Sequence, residues 1–380
     1  MNTNHEPRPR QMPTNHDHEL RTKILISLWP GLGDVIFATP VFRTLRKKFP
    51  DAHITALIWS TVARELLNTN PYIDELVEGS FLKIRSLASK FKNYDIGIQC
   101  SHPVQFLFIL AGIKKRVSFN GNPLWWLYPA GSNNFHSTEY FLRTVDKIDG
   151  VKFRDGNYWD IFLEKKELAP AQSILKDFRN PDSPLVAIHP GARNNKCKRW
   201  EVHKFAHLCN FLIDKFNVKI VLIGGKKDIE LCNFIENHIP LCHSELVSES
   251  QYNSTSNFLN LAGKLSLRES AAIIKLCDLF VGNASGPTYI ASALGTPVVA
   301  IFGPDNPRNF GPIGEPLGEP LGESLGKNVQ VVTPKLKCAP CLHFYRHFLR
   351  GLRLRYIPFC KAMQSIQTDE VFNACSHFLK

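Results

Sequence analysis

The sequence predicts an α/β protein with two halves, each containing a parallel sheet. Two observations support this fold class. Short apolar runs rich in β-branched residues alternate with helix-like stretches, which is the pattern of βαβ units. The alternation begins twice, at "KILISL" (23–28) and at "PLVAIHPG" (184–191). A chain of 380 residues is also long enough for two domains of ordinary size.

The first half contains three predicted strands separated by helix-like stretches. The strands are "KILISL" (23–28), "HITALIW" (53–59) and "YDIGIQC" (94–100). Between them, "VIFATPVFRTLRKKF" (35–49) and "TVARELLNTN" (61–70) have the character of helices. We therefore expect the strands to lie parallel in one sheet.

The second half continues the same alternation. Helices are predicted over 201–216 and 267–277. Ser266, with Glu269 three residues later, has the form of a capping box at the start of the second of these helices. The predicted strands are "PLVAIHPG" (184–191), "VKIVLIGG" (218–225), "LFVGNASG" (279–286) and "TPVVAIFGP" (296–304).

The polar, proline-containing segment 165–184 indicates a domain boundary within it. Two further polar segments, 242–257 and the Gly-Glu-Pro repeat 314–326, are predicted to be surface loops without chemistry. The predicted organisation is a disordered tail (1–21), an N-terminal domain (22–175), a C-terminal domain (183–335) and a cysteine-containing segment with a closing helix (336–380).

Composition limits the class of protein. The net charge of +12 predicts an anionic partner, such as nucleic acid, an acidic membrane surface or a phosphorylated substrate. No apolar stretch approaches the ~18–20 residues of a membrane span, and the polar start does not resemble a signal peptide. We therefore expect a cytoplasmic protein, whose ten cysteines are mostly buried thiols such as Cys277.

The first strand is followed by the glycine turn "PGLGDV", which contains Gly31, Gly33 and Asp34. The turn lacks the third glycine of a dinucleotide fingerprint, because that position is Ile36, and no Gly-Lys-Ser/Thr follows as in a P-loop. The turn places Asp34 at the start of a helix. Asp34 either caps that helix or is a general base at the edge of a cleft.

Ligands of open parallel sheets bind beyond the carboxyl ends of the strands. There, "HPGARNNKCKRWE" (189–201) concentrates basic side chains, which suits a diphosphate, although a solvated charge run has the same composition. The basic residues are Arg193, Lys196, Lys198 and Arg199.

Two more strand ends carry candidate site residues. Asp228 follows the turn of Gly224 and Gly225, where an acid either accepts hydrogen bonds from ribose hydroxyls or caps a helix. The turn Ser285-Gly286-Pro287 opens a helix whose free N–H groups form an anion site. Small residues after that turn also suit plain packing of the helix on the sheet.

In the order of its motifs the chain resembles the bacterial heptosyltransferases of glycosyltransferase family 9. The resemblance covers about residues 22–375. It implies the GT-B architecture, in which two Rossmann-like domains with parallel sheets face each other across a cleft. The motifs are "GLGDVIFATPVFRTLRKKFPDAHI", "HPGARNNKCKRW", "LIGGKKD", "NLAGKLSLRESAAIIKLCDLFVGN" and "GNASGPTYIASALGTPVVAIFGP".

The resemblance also implies an activity: inverting, metal-independent transfer of heptose from ADP-heptose to lipopolysaccharide core or a related glycan. No cofactor is expected, since the nucleotide-sugar is a substrate. By resemblance Asp34 is the general base on the acceptor side, with Gly31 and Gly33 in its turn. Lys198, Arg199, Ser285, Gly286 and Pro287 would meet the donor phosphates, and Asp228, Gly263, Lys264 and Leu265 the nucleotide.

The sequence departs from the family at two positions. The last motif usually reads Asn-Asp-Ser-Gly-Pro-x-His, but Ala284 replaces the aspartate and Tyr289 the histidine. Ala284 cannot accept a hydrogen bond, and Tyr289 cannot become a cation at neutral pH. The alternative is therefore a non-catalytic relative that binds a nucleotide-sugar or glycan. A nucleic-acid-binding protein is supported by charge alone, without a recognisable motif.

The C-terminal segment leaves further alternatives open. Cys338, Cys341 and Cys360 form either a zinc site or a local structural cluster. Between them, residues 345–356 have the pattern of a basic amphipathic helix, which either packs on the domain or lies on an anionic membrane. Together with the basic runs "RTLRKKF" and "IKKR", this predicts peripheral contact with the inner membrane and an anionic glycolipid acceptor.

Overall fold

The computed structural model describes residues 21–28, 30–100, 104–118, 135–148, 156, 158–192, 196–238, 257–314, 326–336, 339 and 360–380. Nearly all of the predicted tail (1–21) and of the two predicted surface loops lies outside these residues, as do Arg193, Cys338, Cys341 and the stretch 345–356. The chain divides into two compact units. Unit 1 comprises residues 1–127 and 138–155, and unit 2 comprises residues 128–137 and 156–380.

Unit 1 contains a five-stranded parallel sheet in the order β3-β2-β1-β4-β5. The three predicted strands form its centre, and two strands that the sequence analysis does not predict, β3 and β5, form its edges. Edge strands are covered on fewer sides, so they need fewer apolar residues. The strands are β1 (Lys23–Leu28), β2 (His53–Ile58), β3 (Glu75–Glu78), β4 (Ile96–Cys100) and β5 (Lys115–Ser118).

The helix predicted over 35–49 is two helices in the structure. Pro40 has no N–H to donate to the carbonyl oxygen of Ile36, so the first helix ends and a second begins. The Thr39 hydroxyl donates to that oxygen instead, at 2.8 Å. The helices are α1 (Leu32–Phe37), α2 (Thr39–Lys48), α3 (Thr61–Leu67), α4 (Ile84–Lys90), α5 (Gln105–Leu110) and α6 (Ser137–Val145).

Unit 2 contains a six-stranded parallel sheet in the order β11-β10-β9-β6-β7-β8. The four predicted strands again form the centre, and the edges β8 and β11 are additional. The α/β class with a parallel sheet in each half is therefore confirmed. The strands are β6 (Leu185–His189), β7 (Lys219–Leu222), β8 (Phe258–Asn260), β9 (Leu279–Asn283), β10 (Val298–Ile301) and β11 (Val329–Val332).

The helices of unit 2 follow the strands and pack on the sheet. The predicted capping box of α10 is confirmed: the Ser266 hydroxyl accepts from the Glu269 N–H at 3.2 Å, and the Glu269 carboxylate accepts from the Ser266 N–H at 2.7 Å. The helices are α7 (Lys165–Leu175), α8 (Val202–Phe216), α9 (Ile229–Asn237), α10 (Leu267–Lys275), α11 (Gly286–Ala293) and α12 (Pro307–Phe310), followed by Lys361–Ser365 and Thr368–Ser376.

Helix α7 belongs to unit 2, whereas the predicted N-terminal domain (22–175) includes it. The reason is a contact between α7 and α10. The guanidinium of Arg268 donates to both carboxylate oxygens of Glu167 at 2.6 Å and to the carbonyl oxygen of Phe162 at 2.7 Å. Arg268 lowers the pKa of Glu167 below its ordinary value, since it hydrogen-bonds the charged form.

The last two helices cover the sheet of unit 2. Ile366, Val371 and Cys375 are fully buried in the same apolar core as the β6 and β9 side chains. The indole N–H of Trp200 donates to the Ile366 carbonyl oxygen at 3.0 Å, which ties this segment to the loop after β6. No helix in the described ranges is long and apolar enough to cross a bilayer.

Candidate functional site

The carboxyl ends of β6 and β9, which are neighbours in the unit 2 sheet, are joined by the side chain of Asn283. Asn283 is fully buried and its amide donates to the carbonyl oxygens of Pro190 (2.8 Å) and Gly191 (3.2 Å). Its side-chain oxygen accepts from the backbone N–H of Trp200 at 2.9 Å. Asn283 therefore holds both ends of the loop that carries the basic residues, a positioning role that the sequence analysis missed.

The predicted turn Ser285-Gly286-Pro287 lies directly after β9 and opens α11. Proline occupies the first turn of the helix, where a backbone N–H has no acceptor within the helix, so the absence of an N–H on proline costs no hydrogen bond. The buried Thr288 hydroxyl donates to the Asn283 carbonyl oxygen and fixes the turn against the strand. The three turn residues themselves are only partly buried.

Asp228, His189 and Ser285 come together beside this turn. The Ser285 hydroxyl lies 3.3 Å from Nδ1 of His189, and Nε2 of His189 lies 3.6 Å from Oδ2 of Asp228. Burial by itself raises the pKa of Asp228, but the interactions with His189 and the Gly225 N–H outweigh it and lower that pKa below the ordinary value. Asp228 is therefore a carboxylate at neutral pH. The sequence analysis did not identify His189, although it ends a predicted strand.

Glycines make room for the Asp228 carboxylate. An added Cβ at Gly191 would lie 2.2 Å from Oδ1 of Asp228, and one at Gly224 would lie 2.7 Å from its Cβ. Oδ2 accepts from the Gly225 N–H at 3.0 Å, which is the capping interaction that the sequence left open. Oδ1 is buried and has no hydrogen-bond partner among the described residues. One oxygen thus caps the turn and the other remains available to a ligand.

Lys198 ends a 3-10 turn (Lys196–Lys198) after β6, and its ammonium group forms an ion pair with Asp305. Asp305 is buried and follows β10, the strand next to β9. The sequence analysis missed Asp305, because an acid in a loop has many roles. Lys198 and the half-buried Arg199 thus lie at the same sheet edge as His189.

The predicted nucleotide-side residues Gly263, Lys264 and Leu265 follow β8. The Gly263 N–H donates to the carbonyl oxygen of Gly224 at 2.8 Å, so this loop meets the turn that leads to Asp228. Gly263 has a φ of +73°, a conformation that favours glycine. Lys264 is exposed and donates to the Asn260 carbonyl oxygen at 2.8 Å.

The profile of glycosyltransferase family 9 (heptosyltransferase) matches residues 136–345, more than half of the chain. The chain belongs to glycosyltransferase family 9. This confirms the resemblance to heptosyltransferases and makes the chain a glycosyltransferase. Every unit 2 residue described above as a candidate lies inside the matched range, whereas Asp34 lies outside it.

Individual family members and folds agree with this assignment. The lipooligosaccharide heptosyltransferase 2 of Campylobacter jejuni is 22% identical over 363 residues, covering 94% of this chain and 98% of that protein. The E. coli ADP-heptose lipopolysaccharide heptosyltransferase II has a TM-score of 0.69 at 21% identity, covering 94% and 98% of the two chains. An iron-containing dodecameric glycosyltransferase from enterotoxigenic E. coli has a TM-score of 0.52 at 14% identity, covering 94% and 76%. The predicted GT-B fold type is thereby confirmed.

The structure shows the surroundings of Ala284 and Tyr289, the two residues that depart from the family motif. Ala284 is buried directly after β9. Tyr289 is also buried, and its ring packs edge-on against Trp159 at 5.7 Å between ring centroids. Trp159 in turn lies 6.0 Å from the ring of His136, whose Nε2 is 3.0 Å from the carbonyl oxygen of Gly311. Tyr289 is thus part of an aromatic cluster within unit 2.

In unit 1, the glycine turn follows β1 as predicted. Gly31 occupies the N-cap position of α1 and offers no side chain for capping, and Asp34 lies half-buried in the first turn. Asp34 is therefore not the N-cap residue of this helix. Its role as a general base stays a prediction, with Gly31 and Gly33 shaping the turn.

The cysteines that the structure describes are all free thiols. Cys277 is confirmed as a buried thiol: burial raises its pKa, and its sulfur donates to the Ile273 carbonyl oxygen at 3.2 Å. No group of three His, Cys, Asp or Glu side chains within the described residues has the arrangement of a metal site. Cys360 is half-buried, and its predicted partners Cys338 and Cys341 lie outside the described residues.

Proposed function

We propose that this glycosyltransferase moves heptose from ADP-heptose to a sugar of the lipopolysaccharide core, with inversion at the anomeric carbon and without a metal. The observation that carries the proposal is the grouping of Lys198, Asp228 and the amino end of α11 at one edge of the unit 2 sheet. This grouping provides a cation, a hydrogen-bond acceptor and the amino end of a helix for an ADP-sugar.

The donor contacts follow from the chemistry of these groups. Lys198, Arg199 and the amino end of α11 would meet the diphosphate, where cationic and N–H donors stabilise the charge that develops on the leaving group. The unpartnered Oδ1 of Asp228 would accept a ribose hydroxyl. Gly263, Lys264 and Leu265, which adjoin the Gly224 turn, would line the base.

The chemical step assigned to unit 1 is proton removal. Asp34 would take the proton of the acceptor hydroxyl as its oxygen attacks the anomeric carbon, while the bond from that carbon to the diphosphate breaks and ADP leaves with the electron pair. A single displacement of this kind inverts the anomeric centre. The proposal thus assigns the acceptor to unit 1 and the donor to unit 2.

The names of the relatives support the substrates. The C. jejuni relative is named a lipooligosaccharide heptosyltransferase, and the E. coli protein of the same fold is named an ADP-heptose lipopolysaccharide heptosyltransferase. A lipid-linked, phosphorylated acceptor is consistent with the net charge of +12. We accordingly propose a cytoplasmic enzyme that works peripherally at the inner membrane.

The metal-free part of the proposal rests on charge. Lys198 and Arg199 would neutralise the diphosphate in place of a divalent cation. One glycosyltransferase of the same fold contains iron, so chelation and metal addition are the direct tests. Turnover should therefore persist in EDTA and should not rise when Mg²⁺ or Fe²⁺ is added.

The deciding experiment measures ADP release from ADP-heptose with a lipopolysaccharide core acceptor. Release that depends on the acceptor would support the proposal and exclude the alternative of a non-catalytic relative. Asp34→Asn should lower kcat by at least about a hundredfold, in line with removal of a general base, while ADP-heptose still binds in a calorimetric titration. Asp51→Asn, an exposed acid of the same unit, is the matched control. Full turnover by Asp34→Asn would refute the base.

A further inference from the structure

Unit 1 exposes an apolar surface built from two neighbouring segments, which we call the apolar face. Leu82 is 99% exposed and Phe81 is 74% exposed in the 3-10 turn before α4. Helix α5, which packs against α4, adds three more exposed apolar side chains. The five members of the apolar face are Phe81, Leu82, Phe106, Ile109 and Leu110.

The exposure on α5 is not needed for folding of unit 1. Leu107 and Phe108 are fully buried against α4, so the helix already has a core-facing side. The outward side of a helix in contact with water normally carries polar residues. Here it carries Phe106, Ile109 and Leu110, so the helix is apolar on both sides. Exposed apolar patches of this kind mark interaction surfaces.

A cavity of about 130 Å³ lies under the apolar face. The Trp59 ring stacks on the Phe81 ring at 4.8 Å between centroids and forms one wall. Gly79 makes room for that indole, since an added Cβ there would lie 2.8 Å from it. The cavity is therefore shaped for apolar groups. Its lining residues are Trp59, Phe81, Ile84, Val104, Phe106 and Leu107.

Basic side chains flank the apolar face along the chain. Residues 79–118 carry seven Lys and Arg side chains and a single acid, Asp95. Asp95 is engaged by the backbone N–H of Lys23 at 2.8 Å. Exposed basic side chains occur in the turn and helix around Leu82 and in the segment that follows α5. They are Lys83, Arg85, Lys114 and Arg116.

We propose that the apolar face docks on an anionic lipid bilayer. Phe81, Leu82 and the outward side of α5 enter the boundary between headgroups and acyl chains, and the basic side chains contact lipid phosphates. A mixture of exposed aromatic and aliphatic tips with flanking Lys and Arg is the composition of interfacial membrane contacts. Charge complementarity selects this occupant over an apolar protein partner, since the rim is basic. Docking does not require turnover, but it would place the enzyme at the lipid-linked acceptor of the proposed function.

Vesicle co-sedimentation of the full chain tests the proposal. One set of vesicles contains phosphatidylcholine alone, and the other contains roughly one third phosphatidylglycerol, a fraction that adds negative surface potential. The chain should bind the anionic vesicles, with binding that weakens as salt is raised. Leu82→Ser/Ile109→Ser should weaken this partition by about tenfold, because membrane affinity scales with buried apolar area. Lys83→Gln/Arg85→Gln should weaken binding to the anionic vesicles only.

A control variant and a mass measurement separate membrane docking from a general effect of replacing exposed apolar residues and from self-association. Ile174→Ser/Phe211→Ser replaces two exposed apolar side chains of unit 2 and should leave partition unchanged. Equal binding by wild type and Leu82→Ser/Ile109→Ser would overturn the proposal. A change in oligomer mass of that variant by light scattering, without a vesicle effect, would also overturn it and assign the face to a second copy of the chain.

Activity assays keep the two proposals distinguishable. Leu82→Ser/Ile109→Ser should release ADP at the wild-type rate with a delipidated, water-soluble core oligosaccharide and more slowly with acceptor in anionic vesicles. If wild type binds vesicles but releases no ADP with either acceptor, the proposed function fails and docking stands. If turnover is normal and vesicles are not bound, docking fails and the proposed function stands.

Discussion

The ammonium group of Lys198 and the carboxylate of Asp305 form an ion pair at the carboxyl edge of the unit 2 sheet. The Asp305 side chain is only 4% exposed, whereas that of Lys198 is 23% exposed. Lys198 is the cation that we propose for the donor diphosphate, so its replacement changes two things at once. It removes a contact with the diphosphate of the sugar donor, and it leaves the buried carboxylate of Asp305 without its cation.

We expect Lys198→Met to lower both donor affinity and stability. Removing one partner of a buried ion pair costs about 3–5 kcal/mol, and the partial exposure of Lys198 places this pair at or below the lower end. Urea unfolding measures the free energy, and a calorimetric titration with ADP measures the binding. A Lys198→Met protein that binds ADP as tightly as wild type would contradict the assignment of Lys198 to the phosphates.

The double variant Lys198→Met/Asp305→Asn separates the two effects. Replacing the Asp305 carboxylate, which has lost its Lys198 cation, by a neutral amide should restore much of the stability, but ADP binding should stay weak, because the cation is still missing. Lys196→Met is the matched control, since Lys196 lies exposed in the same 3-10 turn. It should change neither quantity by more than surface substitutions usually do.

Asp228 should make stability depend on pH in the acid range. Its folded-state pKa lies below the ordinary 3.8, so the unfolded chain takes up the proton first as the pH falls. The carboxylate therefore stabilises the fold above about that pH, and this contribution is lost as the pH falls through the lower folded value. The stability difference between wild type and Asp228→Asn should shrink on acidification in urea unfolding at several pH values.

Two further variants test the cause of this pH dependence. His189→Gln removes the main interaction that lowers the Asp228 pKa, so the acid-range loss of stability should be smaller and should end at a higher pH. Asp177→Asn, which removes an exposed carboxylate of the same unit, is the matched control. A constant difference for Asp228→Asn across the acid range would show that this carboxylate does not stabilise the fold.

Gly191 should not tolerate a side chain. In Gly191→Ala the new Cβ would lie 2.2 Å from Oδ1 of Asp228, so the carboxylate or the loop has to move. Overpacking of this kind costs about 1–3 kcal/mol, and we expect nucleotide binding to weaken with it. Gly225→Ala is the control, since its Cβ would lie at an ordinary 3.8 Å from Asp228. Wild-type stability and ADP affinity in Gly191→Ala would argue against the close approach.

The attachment of α7 to unit 2 depends on Glu167. Glu167→Gln keeps the size of the side chain but removes its charge toward Arg268, and hydrogen bonds to charged groups contribute about 1.5–3 kcal/mol. We expect a loss of stability of that order in urea unfolding. Lys166→Met, on the exposed side of α7, breaks only a surface pair with Glu164 and should leave the free energy of unfolding unchanged. Equal stability of the two variants would show that the pair with Arg268 is dispensable.

The prediction of the fold from sequence succeeded for the central strands and failed at the edges. The seven central strands are the apolar, β-branched runs, because they are covered on both faces and by neighbours. The edge strands β3, β5, β8 and β11 were not predicted. β3 and β5 carry polar residues such as Glu75, Glu78 and Lys115, since one side of an edge strand meets solvent or side chains. The break between α1 and α2 was also missed, although Pro40 was visible.

For the candidate site, too, the sequence predicted only residues that belong to local motifs. Asp228, Lys198 and the Ser285 turn were predicted as candidates because each follows a strand at a glycine or basic motif, and such motifs are local; their roles stay predictions. His189, Asn283 and Asp305 were not found, because nothing in their own neighbourhood distinguishes them from structural residues. Each acts on a residue far away in the chain, and only the sheet brings the two together.

The sequence by itself determined the two-fold α/β alternation, the glycine turns at the strand ends and membership of a glycosyltransferase family, since all of these are encoded in short contiguous patterns. The tertiary structure alone decided the pairing of Lys198 with Asp305, the contact of His189 with Asp228, the attachment of α7 to unit 2 and the exposure of the apolar face. The physical reason is that these features depend on strand order. Placing β9 beside β6, and β10 beside β9, joins segments about a hundred residues apart, and no local pattern specifies that neighbourhood.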